Sequence, residues 1–433
     1  MCFNRFTRAR VTAAILCPAV LICFAGCGGA QKSKDNGTSP AVPATATAEI
    51  TGETQSIRET STAEPPTTNP TTEPTTEPAP SQDPDTADTL NGIFERYGAV
   101  GAQVAVIRDG HVSEVYSYGY ANRSEGTPVT EDTKYRCASL SKLVADMVFM
   151  RLTETGVMEE TGDIGEYLGY RVRSPYHTDT PITPRMLMTH TSSIIDSSSF
   201  LDSRLNGSYK PLKTLLSYES SFAYATPGTG YRYSNFGIAV LGAACEKATG
   251  TDFGTLTKQY LTGPLGVDAA YTASALEDIS LLGTLYGSGG YSVSEQKALS
   301  FCDEPGQTHH LVQGNFTVSA KDYAKIVCVL LGGGKSGEKQ ILTQQSVDAI
   351  LENRASDRNR GIGYGVEIID TLFAGENWYV HTGSNFGMYS AYAFSPEKRC
   401  GAVVLTSGAS GSSDSRTEIY DVCLDAIREV LGQ

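Results

Sequence analysis

Strand signals stand at both ends of the segment from residue 89 to residue 433, and helical patterns fill the stretch between them. Near the start, two alternating segments, residues 102–108 and 112–120, meet at Asp109-Gly110, which is a strong signal for a hairpin turn. Three short segments near the end favour strands and are separated by turn residues: 377–382, 389–394 and 402–407. The sequence therefore predicts an α+β fold, with an antiparallel sheet built from both termini and flanked by helices, and with a mostly helical subdomain inserted.

The helical segments are placed by their periodicity and by the glycines that end them. Residues 237–249 end at Gly250 and residues 320–331 end at Gly332, and both carry apolar residues at helical spacing. Two more helices are predicted at the ends of this part of the chain: a short one over residues 89–97 and an amphipathic one over residues 416–431. We expect a sheet part and a helical part with these bounds: residues 89–175 with 335–433, and residues 176–334.

An export signal is predicted at the start of the chain. Three arginines precede an apolar run over residues 11–24, which is too short to span a membrane comfortably. The run leads to Cys27 in the sequence Phe-Ala-Gly-Cys-Gly-Gly, which resembles the lipobox of bacterial lipoproteins, although phenylalanine replaces the usual leucine. The resemblance implies a lipoprotein signal peptide over residues 1–27 and an extracytoplasmic protein anchored by lipid to the outer face of a bacterial cell membrane. The alternative is an ordinary cleaved signal peptide.

Residues 28–88 are predicted to form a disordered tether. They are rich in Thr, Pro, Ser, Ala and Glu and cannot bury enough apolar surface to fold. Three tetrads over residues 67–78 each end in proline, which favours an extended chain with a reach of roughly 3 Å per residue. Such a tether would hold a folded domain, residues 89–433, away from the membrane. The alternative is a ligand tail for a proline-binding partner, but the basic flanking residues of such ligands are missing.

The charge and the cysteines exclude some partners. The formal net charge of -14 argues against nucleic acid or an anionic membrane surface, because both attract basic proteins. The 10 cysteines show no C-x-x-C spacing, so we expect neither a zinc site nor a dense disulfide framework. We also expect the chain to act as a monomer.

A candidate nucleophile stands at the start of a predicted buried helix, in the sequence Ser139-Leu-Ser-Lys142. Apolar residues follow at helical spacing, so Ser139 and Lys142 are expected to share one helical face, close enough to hydrogen-bond. A partly desolvated lysine can take the proton of a serine hydroxyl or hold a positive field beside it. The alternative is that Ser139 caps the helix while Lys142 is solvated, because the S-x-x-K pattern often occurs by chance.

A second candidate segment, Tyr233-Ser-Asn235, follows a glycine-rich turn. The ordinary pKa of a phenol is about 10, but a nearby lysine ammonium would favour the phenolate and make Tyr233 a usable proton acceptor. Asn235 offers both an amide donor and an amide acceptor. The alternative is that Tyr233 packs its ring in a loop while Asn235 caps the helix that follows.

A third candidate segment, His381-Thr382-Gly383-Ser384, lies at the end of a predicted strand. Gly383 removes a side chain where a substrate backbone could approach, and the backbone amide of Ser384 could help to bind an oxyanion. Thr382 supplies a hydroxyl, and His381 could be a cation or a neutral donor near physiological pH. The alternative is that His381 is an ordinary surface residue beside a turn.

Together the three segments resemble the penicillin-recognising serine hydrolases in type, order and spacing. The family patterns S-x-x-K, Y-x-N and K/H-T-G match these residues: Ser139 and Lys142, Tyr233 and Asn235, and His381 to Gly383. The resemblance covers roughly residues 89–430 and is strongest for the soluble D-alanyl-D-alanine carboxypeptidases and the class C β-lactamases. It implies a β-lactamase/transpeptidase-like fold and a chemistry that needs neither a metal nor a cofactor.

The resemblance also implies a role for each residue. Ser139 would attack a carbonyl carbon and form a covalent ester, while Lys142 and Tyr233 handle its proton. The backbone amides of Ser139 and Ser384 would bind the oxyanion, and Asn235 would hold the substrate's amide. Two more residues would face the carboxylate side of the substrate and assist the leaving group: His381 and Thr382.

Several functions are compatible with these residues. The first is a peptidase of the D-alanyl-D-alanine carboxypeptidase type that acts on cell-wall peptides. A β-lactamase or a small-ester hydrolase would use the same residues, although histidine at position 381 gives up the permanent charge of the family's lysine and weakens the case for an efficient β-lactamase. The alternative of another class is a penicillin-binding or wall-binding lipoprotein without turnover. Every motif position carries a competent side chain, which speaks against that last interpretation.

Overall fold

The computed structural model describes residues 82–205, 209–289, 300–385 and 388–432. The predicted signal peptide, the predicted lipidation site Cys27 and most of the predicted tether lie outside these ranges. Within them, no helix is both long and apolar enough to cross a membrane. The cysteines that they include are free thiols.

One large sheet dominates the β-structure. The strands of the described residues are, in chain order, β1 Gly101–Arg108, β2 His111–Asn122, β3 Thr127–Pro128, β4 Tyr135–Arg136, β5 Thr317–Val318, β6 Lys335–Ser336, β7 Lys339–Gln340, β8 Ala355–Asp357, β9 Arg360–Ile362, β10 Glu367–Ile369, β11 Trp378–Asn385, β12 Met388–Ser395 and β13 Cys400–Ser407. A 9-stranded sheet runs in the order β3-β2-β1-β13-β12-β11-β10-β9-β8, and its paired strands are antiparallel. Its strands come from both ends of the folded part, which confirms the predicted sheet.

The two ends of the chain meet in the middle of this sheet. Strand β1 pairs with β13 from Gly101 opposite Ser407 to Ile107 opposite Gly401, and with β2 on its other side. The predicted hairpin turn joins β1 to β2, and both of its central residues have positive φ angles, as a two-residue hairpin turn requires. Residues more than 290 positions apart along the chain are therefore direct neighbours.

Helices surround the sheet and fill the middle of the chain. They are α1 Pro84–Arg96, α2 Ser141–Glu154, α3 Ile164–Leu168, α4 Pro184–Met188, α5 Ser198–Leu205, α6 Leu212–Leu215, α7 Asn235–Thr249, α8 Phe253–Thr257, α9 Gly263–Leu265, α10 Ala320–Leu331, α11 Gln344–Leu351 and α12 Asp421–Leu431. A single 3₁₀ turn over Ala138–Leu140 precedes α2. The prediction for α10 is confirmed at both ends, and α7 begins at Asn235 because the hydroxyl of Ser234 caps it.

Helix α1 begins at Pro84, before the predicted start at residue 89. The carboxylate of Asp83 accepts a hydrogen bond from the backbone amide of Thr86 at 2.9 Å and so caps the helix. Pro84 then occupies the first turn, where its missing N–H leaves no partner unsatisfied. The folded part therefore includes residues that composition had placed in the tether.

Helix α12 begins at Asp421 and not at the predicted residue 416. The carboxylate of Asp414 accepts hydrogen bonds from the backbone amides of Arg416 and Thr417, at 2.9 Å and 2.8 Å. An aspartate that binds amides two and three residues ahead holds its segment in a turn, so the helix starts only after it.

Apolar layers cover both faces of the sheet. Along β1, the side chains of Val104 and Val106 join a core shared with α1 and α12, while Ala105 and Ile107 join a second core shared with α2, α7 and α10. This alternation is the period of a strand that is buried on both faces. Helix α10 packs directly on β1, β2 and β13, although the predicted division placed it in the helical part. The 3₁₀ turn before α2 contacts β11 and β12, and the candidate site lies there.

Candidate active site

Ser139 stands in a strained turn that two other serines hold in place. Ala138 has a φ angle of 50°, which is uncommon for a residue with a side chain. The hydroxyl of Ser141 donates to the carbonyl oxygen of Ala138 at 2.6 Å, and the hydroxyl of Ser390 on β12 donates to the carbonyl oxygen of Cys137 at 2.8 Å. The turn is thus tied both to its own helix and to the sheet, which fixes the position of Ser139.

Lys142 lies behind Ser139 on the same face of α2, as predicted. Its side chain is fully buried, and its Nζ lies 3.0 Å from Ser139 Oγ. The same nitrogen lies 2.9 Å from Asn235 Oδ1 and 2.8 Å from the carbonyl oxygen of Gln313. Three oxygen atoms therefore surround the amine, which is the full number that one ammonium can serve.

Tyr233 approaches Ser139 from the other side. Its hydroxyl donates a hydrogen bond to Ser139 Oγ at 2.8 Å, and Lys142 Nζ lies 4.9 Å from the centre of its ring. The surrounding protein desolvates the phenol and raises its pKa, and this effect exceeds the opposing effect of the hydrogen bond to Ser139. The expectation that Tyr233 is a phenolate is therefore wrong, and the residue is a neutral donor in this structure.

Asn235 connects Lys142 to an acidic residue that the sequence analysis missed. Its Nδ2 donates to Asp196 Oδ2 at 2.7 Å, while its Oδ1 faces Lys142 Nζ. Asp196 Oδ1 also accepts the backbone amide of Phe236 at 2.8 Å, at the start of α7. Because a carboxylate can only accept, Asp196 fixes which end of the Asn235 amide points to the lysine. A contact between Asn235 and substrate stays a prediction.

His190 holds the loop that carries Tyr233. Its Nδ1 lies 3.2 Å from the backbone amide of Ser234, its carbonyl oxygen accepts the amide of Arg232 at 2.7 Å, and its ring lies 4.6 Å from that of Tyr233. Burial lowers the pKa of His190 well below its usual range, so the ring is neutral and Nδ1 can accept. His190 stands in a Thr-His-Thr segment that resembles a segment of the penicillin-recognising serine hydrolases, and this resemblance could have identified His190 from the sequence.

Gly383 on β11 lets the strand approach the turn that carries Ser139. A Cβ atom at this position would lie 2.3 Å from Ser390 Oγ, 2.7 Å from the carbonyl oxygen of Cys137 and 3.0 Å from the backbone nitrogen of Ser139. These neighbours belong to the protein, so the missing side chain at Gly383 lets the strand and the turn pack closely. The expectation that Gly383 makes room for a substrate backbone is therefore wrong. Ser384 follows immediately, which brings its backbone next to that of Ser139.

His381 is buried and neutral. Only 5% of its surface is exposed, and burial together with the nearby Lys142 lowers its pKa to about 3. Its Nδ1 lies 2.7 Å from the carbonyl oxygen of Thr382. A carbonyl oxygen can only accept, so Nδ1 carries the proton and Nε2 carries a lone pair. The possibility that His381 is a cation is therefore excluded near neutral pH.

These residues surround one cleft with a volume of about 460 Å³. Six of the predicted site residues line it: Ser139, Tyr233, Asn235, His381, Thr382 and Ser384. Lys142 does not line the cleft itself but hydrogen-bonds to three residues that do, Ser139, Asn235 and Gln313, and Gly383 packs behind Ser139. Asp196 and Gln313, which position Asn235 and Lys142, were not predicted from the sequence, and neither was an arginine-carboxylate network that also lines the cleft. No pattern in the sequence marks Asp196, because it stands in an ordinary serine-rich loop.

Comparison with known proteins decides the family. A family model described as Beta-lactamase matches residues 85–424. The chain belongs to the β-lactamase family. Its fold is the β-lactamase/transpeptidase-like fold of mixed helices and antiparallel sheet, as the sequence had predicted. The structure of the octameric penicillin-binding protein homologue from Pyrococcus abyssi superimposes with a TM-score of 0.65 at 21% sequence identity, over 81% of this chain and 77% of that one.

Curated relatives of this β-lactamase-family chain carry different activities in their names. The chain is 29% identical over 190 residues to the D-alanyl-D-alanine-carboxypeptidase/endopeptidase AmpH of Escherichia coli (strain K12), which covers 42% of this chain and 48% of that protein. It is 30% identical over 183 residues to the Esterase EstB of Burkholderia gladioli, which covers 39% of this chain and 46% of that protein. The matches thus span about half the length of these relatives. The β-lactamase family is a family of hydrolases, and its members differ in substrate.

Proposed function

We propose that this chain is a serine hydrolase that forms a covalent acyl-enzyme at Ser139. The observation that carries the proposal is the position of Ser139 Oγ, which lies 3.0 Å from Lys142 Nζ and 2.8 Å from the hydroxyl of Tyr233 in the wall of the cleft. A serine hydroxyl becomes a nucleophile when a base takes its proton while a donor stabilises the oxygen. Lys142 and Tyr233 are placed for these two tasks.

The hydrogen bonds support Lys142 as the base. In the amine form, Lys142 donates its two protons to Asn235 Oδ1 and to the carbonyl of Gln313, and its lone pair then faces Ser139. Ser139 would give its proton to that lone pair while its oxygen still accepts from Tyr233. Attack on a carbonyl carbon forms the bond to Oγ and a tetrahedral oxyanion. Collapse of the oxyanion breaks the bond between that carbon and the leaving group and leaves the ester, while the proton held by Lys142 passes by way of Tyr233 to the leaving group. Deacylation by water reverses the path.

The negative oxygen formed during attack needs donors of its own. We propose the backbone amides of Ser139 and Ser384 for this role, because Gly383 brings β11 within packing distance of the Ser139 amide. Thr382 and Ser384 line the same side of the cleft and would contact the substrate beyond the reacting carbonyl. His381 cannot supply a positive charge there, since its ring is neutral.

We propose cell-wall peptides with D-amino acids as the substrate, so that the enzyme is a peptidase of the D-alanyl-D-alanine carboxypeptidase type. The match to AmpH and the predicted export and tether of the chain support this choice. A small ester is the second candidate, supported by the match to EstB and by the neutral His381, which offers no charge to a substrate carboxylate. A β-lactam would enter the same cleft. Binding without turnover is the alternative of another class.

Parallel assays of the wild-type protein and Ser139→Ala test these choices. We expect release of D-alanine from a diacetyl-L-lysyl-D-alanyl-D-alanine peptide by the wild type and none by the variant. Hydrolysis of p-nitrophenyl acetate without release of D-alanine would support the ester hydrolase instead. Turnover of a penicillin without peptide cleavage would support a β-lactamase. A stable acyl-enzyme without turnover of any substrate would support the binding protein.

We also propose that Cys27 carries a lipid and anchors the protein to the outer face of the membrane. The support is the sequence alone, in which a basic start, a short apolar run and small residues precede the cysteine. Expression in a bacterial host with an azide-labelled fatty acid should label the wild type and locate it in the membrane fraction. The Cys27→Ser variant should lose both properties. Equal labelling of the two proteins would contradict the anchor.

A further inference from the structure

An ionic network forms part of the wall of the cleft that contains Ser139. Arg360 on β9 places Nη1 2.7 Å from Glu367 Oε2 and 2.9 Å from Glu418 Oε2, and it places Nη2 2.8 Å from Asp357 Oδ2. All four residues line the same cleft as Ser139. The proposed acyl transfer at Ser139 uses none of them.

This acceptor wall, which we define as Asp357, Glu367, Glu418 and Arg360 with its neighbour Arg358, carries more negative than positive charge. Arg358 Nη1 lies 2.6 Å from Glu418 Oε1, but 74% of its side chain is exposed to solvent. Three carboxylates thus face two guanidinium groups within the described part of the cleft. Burial raises the pKa of Glu367, and the ion pair with Arg360 opposes that effect.

His381 adds a neutral acceptor beside these carboxylates. Its Nδ1 donates to the carbonyl oxygen of Thr382 at 2.7 Å, so Nε2 presents a lone pair, and the ring lines the cleft. Within the described residues, His381 makes no other hydrogen bond, although only 5% of its surface is exposed. The lone pair of Nε2 is therefore available to a donor that enters the cleft.

Aromatic rings complete the environment of this wall. Tyr231, Tyr233 and Tyr420 line the same cleft. The face of a phenol ring attracts a cation, and carboxylates beside such rings strengthen the attraction. Carboxylates, a neutral imidazole acceptor and phenol rings are each complementary to a positively charged donor.

We propose that the acceptor wall is a subsite for a positively charged amino group of the substrate. The inference rests on the proposed function, because it assumes that the group belongs to a molecule whose carbonyl reaches Ser139. An ammonium would donate to His381 Nε2 and to the oxygens of Asp357 and Glu367 that do not pair with Arg360, and it would restore the charge balance of the wall. The substrate class is then an amine-bearing peptide or ester, and not one recognised mainly by its carboxylate.

The opposite assignment, a substrate carboxylate on Arg360, fits the contacts less well. Both terminal nitrogens of Arg360 already bind carboxylates, so a substrate carboxylate would have to displace one of them. It would also add a fourth negative charge to the wall. The neutral Nε2 of His381 would face that carboxylate with a lone pair and not with a proton.

Three matched peptides test the inference by binding. They are acetyl-L-lysyl-D-alanyl-D-alanine with a free side-chain amine, the same peptide with that amine acetylated, and the same peptide with it succinylated, so that the side-chain charge falls from positive to neutral to negative. Calorimetric titration of the Ser139→Ala protein gives each Kd without turnover. We expect the amine to bind about tenfold tighter than the acetylated form, and the succinylated form to bind weakest.

Variants of the wall separate its role from that of the fold. In Ser139→Ala proteins that also carry Glu418→Gln or Glu367→Gln, the preference for the amine should fall to less than about threefold. Glu397→Gln, an exposed site in the turn between β12 and β13, should keep the full preference. Because Glu367→Gln leaves buried Arg360 less well paired and risks misfolding, the more exposed Glu418→Gln decides the test if the melting temperature of the other variant falls.

The outcomes distinguish this inference from the proposed function. Equal binding of the amine and the acetylated peptide, absence of binding by all three, or tightest binding of the succinylated peptide would overturn the ammonium subsite. Cleavage of the acetylated peptide by the wild type would still support the peptidase in that case. Conversely, selective binding of the amine without release of D-alanine from any peptide would support the subsite and reject the peptidase.

Discussion

At Lys142, two fixed acceptors determine how the amine meets the nucleophile. Asn235 Oδ1 and the carbonyl of Gln313 occupy two of its three hydrogen-bonding directions, and the third points at Ser139. Asp196 in turn fixes the Asn235 amide. The orientation of the base is therefore set by neighbours that exchange no proton with the substrate, and replacement of the amine should affect the chemical step more than the fold.

Replacing Lys142 by methionine should abolish acylation while it keeps the fold. Methionine has a similar volume without the amine, so the side chain stays buried while the proton acceptor is removed. We expect kcat/KM for p-nitrophenyl acetate to fall by about 10³-fold, because the proton of Ser139 then has no acceptor. Lys325→Met, at a partly exposed lysine on α10, is the matched control and should keep its activity. Activity of Lys142→Met within tenfold of wild type would contradict the assignment of the base.

His381 should make the protein less stable as the pH falls. Its pKa is about 3 in the folded protein and about 6.5 in an unfolded chain, so only the unfolded state takes up the proton between these values. The stability that the neutral ring contributes is complete above about pH 6.5 and is lost progressively as the pH falls toward 3. The difference in free energy of unfolding between wild type and His381→Gln should therefore change by about 1.4 kcal/mol between pH 7.5 and pH 5.5.

Urea unfolding of both proteins at the two pH values measures that difference. The comparison removes the contributions of other titrating groups, such as Glu246, whose pKa is raised to about 7 by burial and which acts with the opposite sign. His111→Gln, at an exposed histidine, is the control for loss of an imidazole. A difference between wild type and His381→Gln that does not depend on pH would show that His381 titrates normally.

The residues that carry the chemistry could be predicted from the sequence, and those that position them could not. Ser139, Lys142 and Tyr233 stand in short patterns, because proton transfer needs particular side chains at particular spacings. Asp196 and Arg360 act through contacts that only the folded chain creates. The protonation of Tyr233 and His381 depends on desolvation, which is a property of the surroundings and not of a motif.

Among the elements, strand β11 and the turn before α2 must lie unusually close together. A side chain at Gly383 would meet Ser390 Oγ, the carbonyl of Cys137 and the amide of Ser139 within 3.0 Å. Two of these three atoms belong to the backbone and cannot rotate away. The strained Ala138 leaves the turn little freedom to adapt. Strand and turn therefore form one unit that presents Ser139.

Gly383→Ala should push strand β11 away from the turn before α2 and so lower both the stability and the activity of the protein. We expect a loss of about 1–3 kcal/mol in the free energy of unfolding, as for other overpacked sites, and a loss of kcat of about tenfold or more. The double variant Gly383→Ala with Ser390→Ala removes the contact at 2.3 Å, but it keeps the contacts with the backbone and loses the hydrogen bond from Ser390 to the Cys137 carbonyl, so it should remain less stable than the wild type. Urea unfolding and ester hydrolysis measure both effects. Wild-type stability and activity of Gly383→Ala would show that strand β11 and the turn before α2 lie farther apart than these distances indicate.

Most elements could be predicted because their periodicity and caps are local. Helix α10 and the hairpin of β1 and β2 follow directly from residue spacing and turn chemistry. The starts of α1 and α12 could not be placed in this way. An aspartate extends the first by capping it, while another aspartate delays the second by holding a turn. The same residue type acts in opposite directions, and only the hydrogen bonds decide between them.

On the scale of the whole molecule, the sheet joins the two ends of the folded part. Helix α1 lies on this sheet beside α12, and its Leu90, Ile93 and Phe94 are buried in the core that they share. Burial of one such side chain contributes about 1.5–3 kcal/mol, so the three together approach the total stability of a typical domain. The strands predicted at both ends of the folded part were enough to predict that they share one sheet. They were not enough to predict the register that aligns β1 with β13.

Two shortened chains test the importance of α1. A chain that begins at residue 82 keeps the capped helix and should melt at the same temperature as a chain that retains the tether. A chain that begins at residue 98 lacks the helix and should not fold cooperatively. Thermal unfolding followed by circular dichroism distinguishes them. Cooperative unfolding of the shorter chain at the same temperature would show that α1 is not part of the core.

Intact-mass spectrometry shows directly whether Ser139 becomes acylated. The wild-type protein and Ser139→Ala are each mixed with p-nitrophenyl acetate and with benzylpenicillin and are quenched in acid at short intervals. We expect a mass increase of one acyl group in the wild type, located on the peptide that contains Ser139, and no increase in Ser139→Ala. An adduct on another residue, or equal adducts on both proteins, would contradict acylation of Ser139.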